Sequence, residues 1–546
     1  AGCYFRKFVL YHFKSGITEE LKCVDAKQNI IPLSDQFLSI MESAPGVFLI
    51  STRTGFVEYH SGEKILHPIF FNEEEKESSV YTNQSALDQS GNIWLATNGE
   101  GVKIVLTHAR KFHTLQPTDS KNAIAKSFCK SGKNLVIGYF QSGIDVYDSS
   151  MQLTRHFDIS DSNLPSNSVF ALAPVNENSV LLSVIYSNEV GIFNFKTGKY
   201  ESLLPELEKA FHGFGKINHT ANFILQTSAH EYIINRNQYL FKIYIDGEKR
   251  SAVLLDSIPN QLITCVFVDS KKQLWCGTFS GVYVKQKNAW KNISLPVSEI
   301  IKCIAQTPDG NIWISSVRGI FVFDNELKLQ NWFNEKNELV NEYVYSLMPQ
   351  PKGDVWFSHN KGVSCYIGVE KKFRNYSKTD GLQSNEFNTG AYYQSPDGII
   401  FFGGVRGTNY FLPAEIKNNS SVGITTLISL LVNDEEFALD SSLSYLHSLT
   451  LNFEQNTLSF RFASCEFTNP LLNKFQYRLV NYDKYWVDAG TNRSVRYANL
   501  PPGNYLFEVK SCNNDGVWNK TAATIHINII PPYWQTWWFR ILAVIL

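Results

Sequence analysis

Short apolar runs separated by polar, glycine-bearing turns fill the first three quarters of the chain, and the pattern repeats. The clearest copies are Asp88-Gln89-Ser90-Gly91-Asn92-Ile93-Trp94-Leu95-Ala96-Thr97 and Pro308-Asp309-Gly310-Asn311-Ile312-Trp313-Ile314-Ser315-Ser316. Asp269-Ser270-Lys271-Lys272-Gln273-Leu274-Trp275-Cys276-Gly277-Thr278, Gly353-Asp354-Val355-Trp356-Phe357-Ser358 and Pro396-Asp397-Gly398-Ile399-Ile400-Phe401-Phe402-Gly403-Gly404 follow the same plan. Weaker copies begin at Gly46, Gly132, Asn178 and Asn222. The mean spacing is about 44 residues, the length of one four-stranded propeller blade. The coils of a β-helix, the other all-β array, have shorter periods.

Each unit has a physical logic. An apolar strand such as Ile263-Thr264-Cys265-Val266-Phe267-Val268 or Ile301-Lys302-Cys303-Ile304-Ala305 precedes the turn. Asp-Gly supplies the positive φ angle that a tight hairpin requires. The next strand carries Trp or Phe to fill the space between blades. A second glycine turn follows, at Gly101, Gly143, Gly281, Gly319, Gly362 and Gly407, and leads into a third strand. One blade cannot bury both of its faces alone, so the units stack around an axis.

After Pro413 the repeat stops. Leu449-Thr450-Leu451-Asn452-Phe453 and Leu458-Ser459-Phe460-Arg461-Phe462 alternate as half-buried strands do, and Leu500-Pro501-Pro502-Gly503 is a turn. This stretch predicts a small β-sandwich. Pro531-Pro532-Tyr533-Trp534-Gln535-Thr536-Trp537-Trp538-Phe539 reads as an interfacial aromatic belt, and Ile541-Leu542-Ala543-Val544-Ile545-Leu546 as the first turns of a membrane helix cut short.

Composition narrows the function. Hydrophobic residues make up 44% of the chain and aromatics 14%, ample for several β cores. A formal net charge of -1 without a Lys/Arg run argues against nucleic acid as a partner. The nine cysteines are scattered singly, with no CxxC, and read as buried thiols on strands; no metal site or cofactor is expected. No signal peptide opens the chain, which reads as beginning part-way through a longer protein.

These motifs resemble the extracytoplasmic sensor region of two-component sensor histidine kinases, especially the hybrid systems of Bacteroidota. The Asp-x-x-Gly-x-x-Trp blades resemble two-component regulator propeller repeats, and Gly381-Leu382-Gln383-Ser384-Asn385-Glu386-Phe387-Asn388 resembles the lead into a final blade. Tyr477-Arg478-Leu479, Trp486, Tyr497, Leu500-Pro501-Pro502-Gly503-Asn504-Tyr505 and Asn513-Asn514-Asp515-Gly516-Val517-Trp518 resemble the Y_Y_Y domain. Family members carry two seven-bladed propellers. The resemblance therefore implies an all-β chain: blades of an incomplete N-terminal propeller over 1–105, expected as two blades or fragments; a seven-bladed β-propeller over 106–415; a Y_Y_Y-like, Ig-like β-sandwich over 416–530; and an aromatic belt with the start of a transmembrane helix over 531–546. It further implies a homodimer at the periplasmic face of the bacterial inner membrane, a cytoplasmic kinase outside this chain, and a sandwich that relays the signal towards the membrane.

The resemblance also implies an oligosaccharide ligand. Loops joining second and third strands share one propeller face. Here they hold Asn98 and Glu100, Tyr139 and Gln141, Phe279, Arg318, His359 and Asn360, and Arg406. Tyr139, Phe279, Arg318, His359, Asn360 and Arg406 are the expected ligand-binding residues, because planar polar groups take sugar hydroxyls and aromatic rings take the C–H face. A propeller glycosidase or lyase is the rival class, and a protein-binding scaffold a third. Arg318 and Arg406 lack an assignable nucleophile or carboxylate pair, so the chain is read as non-enzymatic.

Overall fold

The computed structural model describes residues 2–4, 7–24, 30–31, 37–52, 55–62, 65–69, 82–88, 90–105, 111–117, 124–211, 221–287, 289–416, 419–437 and 443–545. Two compact units result, Arg110–Lys417 and the pair of segments Ala1–Ala109 with Asn418–Leu546.

Within Arg110–Lys417 the described residues form seven four-stranded sheets. Blades I to VII begin with the inner strands Ile124–Ser131, Val169–Asn176, Ile224–Gln226, Ile263–Val268, Ile301–Gln306, Met348–Pro349 and Phe387–Gln394. Blades I to VI are sequential antiparallel meanders. Blade VII takes its fourth strand from the start of the unit, where His113–Leu115 pairs antiparallel with Gly407–Phe411. Asn409, fully buried, locks that seam: its Nδ2 donates to the carbonyl of His113 at 3.2 Å and to Thr114 Oγ1 at 3.0 Å, and its Oδ1 accepts from Gln383 N at 2.8 Å.

The core is the set of spaces between blades. Val136 and Ile144 of blade I meet Val180 and Phe193 of blade II. Similar clusters join II to III, III to IV, IV to V, V to VI and VI to VII. The last seam joins Phe401 and Leu115 of blade VII to Phe128 and Ile137 of blade I, so the ring is closed by apolar burial as well as by the shared sheet.

The repeated turn explains the sequence signature. In five copies the backbone N–H of the first residue bonds the carbonyl four residues on, and the N–H of the fourth returns to the first: Asp88, Asp269, Thr307, Gln350 and Ser395 head these turns. The fourth residue is left-handed in each, with φ 78° at Gly91, 63° at Lys272, 88° at Gly310, 91° at Gly353 and 85° at Gly398. Where Asp heads the turn its carboxylate also holds the following tryptophan, Asp269 Oδ2 accepting from Trp275 Nε1 at 2.9 Å and Asp88 Oδ2 from Trp94 Nε1 at 3.1 Å.

The described residues of the second unit form three sheets before residue 106: Gly2–Tyr4, Lys7–His12 and Ile17–Glu20; a six-stranded sheet spanning Lys22–Val24 to Ile65–Ile69; and Thr82–Leu87, Ile93–Thr97 and Val102–Val105. The sequence reading expected two blades or blade fragments here, from the signatures at Gly46 and Gly91; the first sheet's hairpin carries no Asp-Gly signature. The sandwich pairs a four-stranded sheet with a five-stranded one. Phe460 stacks on Phe507 across them, ring centres 4.0 Å apart and 6° from parallel.

The sandwich and the Thr82–Val105 sheet belong to one unit, and they touch. Ser90 Oγ donates to Glu466 Oε2 at 2.6 Å, and Trp94 meets Phe467 edge-on at 4.9 Å. Beyond the sandwich, Trp537–Ile545 is a short helix exposing Trp537, Trp538, Ile541, Leu542 and Val544. Among the described residues no helix is long and apolar enough to cross a membrane.

Candidate ligand-binding site

Five of the seven inner strands share a feature that the sequence reading passed over. The register against the second strand skips one residue in blades I, II, IV and V, between Ala125 and Ser127, Val169 and Ala171, Ile263 and Cys265, and Ile301 and Cys303. The skipped residues are Lys126, Phe170, Thr264 and Lys302. In blade VII a longer skip runs from Phe387 to Tyr392. A bulge bends the strand and re-aims a side chain. These four skipped residues are all half-buried and all line one axial cavity of about 760 Å³, which all seven inner strands help to line; the residue passed over by a second skip in blade II, between Pro174 and Asn176, does not line it.

The bulges have a steric cause. Inner strands converge on the axis, so the residue opposite a bulge must be small. A Cβ on Gly277 would stand 2.6 Å from Cys265 Sγ and 2.7 Å from Ile301 Cγ2 of the next blade. Close approach leaves no inward room for the neighbouring residue except along the axis.

The cavity wall mixes aromatic faces with a few polar groups. Phe170, Phe223, Phe279 and Tyr392 supply rings, and Thr264, Asn222, Gln226 and Gln394 supply donors and acceptors. Among the described residues its charged lining is Lys126 and Lys302. Lys126 Nζ lies 5.3 Å from the centre of the Phe170 ring, and Lys302 Nζ lies 5.2 Å from that of Tyr343. Burial pushes the Lys126 ammonium below its ordinary pKa, and the charge of Lys302 adds to the shift.

Of the residues expected from the sequence, Phe279 alone lines this cavity, and half of it is exposed at 50%. Arg318 is exposed on the same face of the ring as the inter-blade connections. It bridges two of them, pairing with Glu299 at 3.4 Å and Glu342 at 3.1 Å, which hold its pKa above the ordinary value. Asn360 is exposed and accepts from the Tyr345 hydroxyl at 2.6 Å. Arg406 is exposed, its backbone N–H tied to Gln383 Oε1 at 2.8 Å.

Two expectations are corrected. Tyr139 is completely buried between blades VII and I, its pKa pushed well up by burial and then by Asp145. His359 is likewise completely buried: its Nδ1 accepts from Lys361 N at 3.0 Å, and its Nε2 lies 2.7 Å from Ser364 Oγ. Burial, and then Lys361, hold its pKa down at about 3. Tyr139 is the last but one residue of the second strand Asn134–Phe140 and His359 the last of Val355–His359, and both stay inside the sheet rather than entering the loop. Asn98 and Glu100 fall in the other compact unit, so they do not join this ring; Glu100 pairs there with Lys103. Gln141 sits in the blade I turn with φ 69°, its N–H held by Ser168 Oγ at 3.1 Å.

Comparison with known proteins agrees with this architecture. Residues 466–529 match the Y_Y_Y domain, and residues 294–318 match the two component regulator propeller. The chain thus holds one stretch similar to a two component regulator propeller repeat and one similar to a Y_Y_Y domain. It is 28% identical over 303 residues to Histidine kinase P4 of Formosa agariphila, covering 52% of this chain and 22% of that protein. The chain thus spans under a quarter of that relative's length. Its fold is also that of the extracellular domain of a hybrid two-component system from B. thetaiotaomicron, at TM-score 0.75 and 20% identity, covering 97% of this chain and 72% of the other.

Proposed function

We propose that this chain is the ligand-sensing region of a membrane two-component sensor, facing the periplasm, and that it binds an oligosaccharide in the axial cavity. The observation that carries the reading is the wall of that cavity, where the bulged residues Lys126, Phe170, Thr264 and Lys302 from four blades stand with Phe223, Phe279 and Tyr392. Aromatic faces interleaved with planar amides and hydroxyls suit a sugar's C–H face and its hydroxyls. The likeness to a histidine kinase over half of this chain supports placing it upstream of a kinase domain. In that arrangement it acts as a homodimer, and the unit holding the sandwich relays ligand occupancy towards the membrane helix.

The role is binding rather than catalysis. Glycoside hydrolysis uses two carboxyl groups flanking the scissile bond. The described residues lining the cavity include no carboxylate. Calorimetry of the whole chain against a panel of plant and host oligosaccharides tests the reading. A saturable, one-to-one interaction that is lost on Phe170→Ala is expected; the absence of binding by every sugar rejects it.

A further inference from the structure

We propose that the ligand presents an anionic group, a uronate carboxylate or a sulfate ester, to Lys126 and Lys302 in the axial cavity. The proposal rests on the sugar-binding reading above and specifies the ligand further. Its basis is placement. Lys126 and Lys302 occupy the equivalent bulge of blades I and V, and both line the one cavity. An axial bulge has no structural need for charge, since Phe170 and Thr264 serve at the same position in blades II and IV.

Both lysines are half-buried, and among the described residues neither has a carboxylate partner; their ammonium groups lie over the rings of Phe170 and Tyr343. Two like charges sharing a partly desolvated space are unfavourable unless something of opposite sign joins them. Burial, and then the charge of Lys302, hold the Lys126 ammonium below its ordinary pKa, in line with that placement. An anion between them removes the repulsion and takes charge-assisted hydrogen bonds from both ammonium groups. Lysine, a compact point charge with rotatable donors, accommodates either a carboxylate or a sulfate. The ammonium heads lie over aromatic rings, which hold them in place by cation–π attraction.

The test is calorimetry on the whole chain with four probes: an oligogalacturonate, a sulfated galactan oligosaccharide, a neutral cello-oligosaccharide of matching length, and inorganic sulfate. Lys126→Met, Lys302→Met and the double variant are compared with the parent chain, and Lys→Gln versions serve if a Met variant fails to fold. An acidic sugar is expected to bind at least about tenfold more tightly than the neutral one. Each single variant should cost it about tenfold or more, and the neutral sugar should be unaffected. Whichever acidic probe binds more tightly assigns the anion. Equal binding of acidic and neutral sugars, unchanged in the double variant, overturns this proposal and leaves the sugar reading standing. Lysine-dependent binding of sulfate without binding of any sugar keeps the anion site and overturns the sugar reading. No binding by any probe overturns both.

Discussion

The Lys126 ammonium of blade I stands 5.3 Å from the ring centre of Phe170 in blade II, and both residues are the ones skipped at a bulge. The contact joins neighbouring blades at the axis by side chains that the sheets themselves have expelled. The geometry that closes the ring therefore also furnishes its cavity: convergence of inner strands forces small residues at Gly138 and Gly277, and the displaced neighbours line the axis.

The seam of blade VII should be a weak point once Asn409 is altered. Asn409→Ala leaves the buried Gln383 N–H without its acceptor and frees the strand His113–Leu115. An unsatisfied buried donor costs about 1–3 kcal/mol. Urea unfolding followed by tryptophan fluorescence should show a lower midpoint by that amount, with the slope of the transition unchanged.

His359 makes the propeller sensitive to acid. Lys361 N donates to Nδ1, so the neutral ring carries its proton on Nε2 and hands it towards Ser364. Protonation would set two N–H groups against each other. The folded pKa of about 3 lies below the ordinary 6.5, so the unfolded chain binds the extra proton. Stability is then full above about pH 6.5 and falls as the pH drops towards 3, by about 3 kcal/mol at pH 4. Denaturant titrations at pH 7 and pH 4 should show this loss shrinking in His359→Gln.

Lys272 is the non-glycine residue at a turn position where four other blade turns hold Gly, and its φ is 63°. A left-handed conformation costs a residue with a Cβ about 1 kcal/mol, offset in part by the greater freedom of glycine in the unfolded chain. Lys272→Gly should therefore leave stability unchanged or raise it by up to about 1 kcal/mol, whereas Lys272→Val should lower it. Thermal melts of the two variants check the sign.

Much of the fold was legible because its signals are local. The Asp-Gly turns and the apolar strands recur in register with the blades, and Trp275 and Trp94 follow Asp269 and Asp88 at the spacing their indole hydrogen bonds require. The binding face was half legible. Phe279 was reachable because it follows the strand Leu274–Thr278. Tyr139 and His359 were misjudged because each is the last inward residue of a strand covered by its neighbours on both faces. Lys126 and Lys302 were passed over because a polar residue between Ile and Cys, or between Ala and Ser, reads as ordinary strand alternation. The bulge that turns it inward depends on strands of other blades. What signal existed was the recurrence of Val169-Phe170-Ala171, Ile263-Thr264-Cys265 and Ile301-Lys302-Cys303 at one place in the repeat.

Glu466 binds the Thr82–Val105 sheet to the sandwich. Completely buried, it accepts from Ser90 Oγ at 2.6 Å, from Asn419 Nδ2 at 3.2 Å and from Thr468 N at 3.0 Å. Glu466→Ala strands these donors and should cost about 3 kcal/mol. A double-mutant cycle with Ser90→Ala should return a coupling of about 1–2 kcal/mol in chemical unfolding, and additive single effects would deny the link.

The central claim is that ligand enters the axis of the propeller. Hydrogen–deuterium exchange of the whole chain, with and without the sugar that calorimetry selects, tests it most directly. Protection is expected in the inner strands around Lys126, Phe170, Thr264 and Lys302 and at Phe279, where backbone amides border the cavity. Protection confined to the turns of Arg318, Asn360 and Arg406, or to Ala1–Ala109, with the inner strands unchanged, would contradict it.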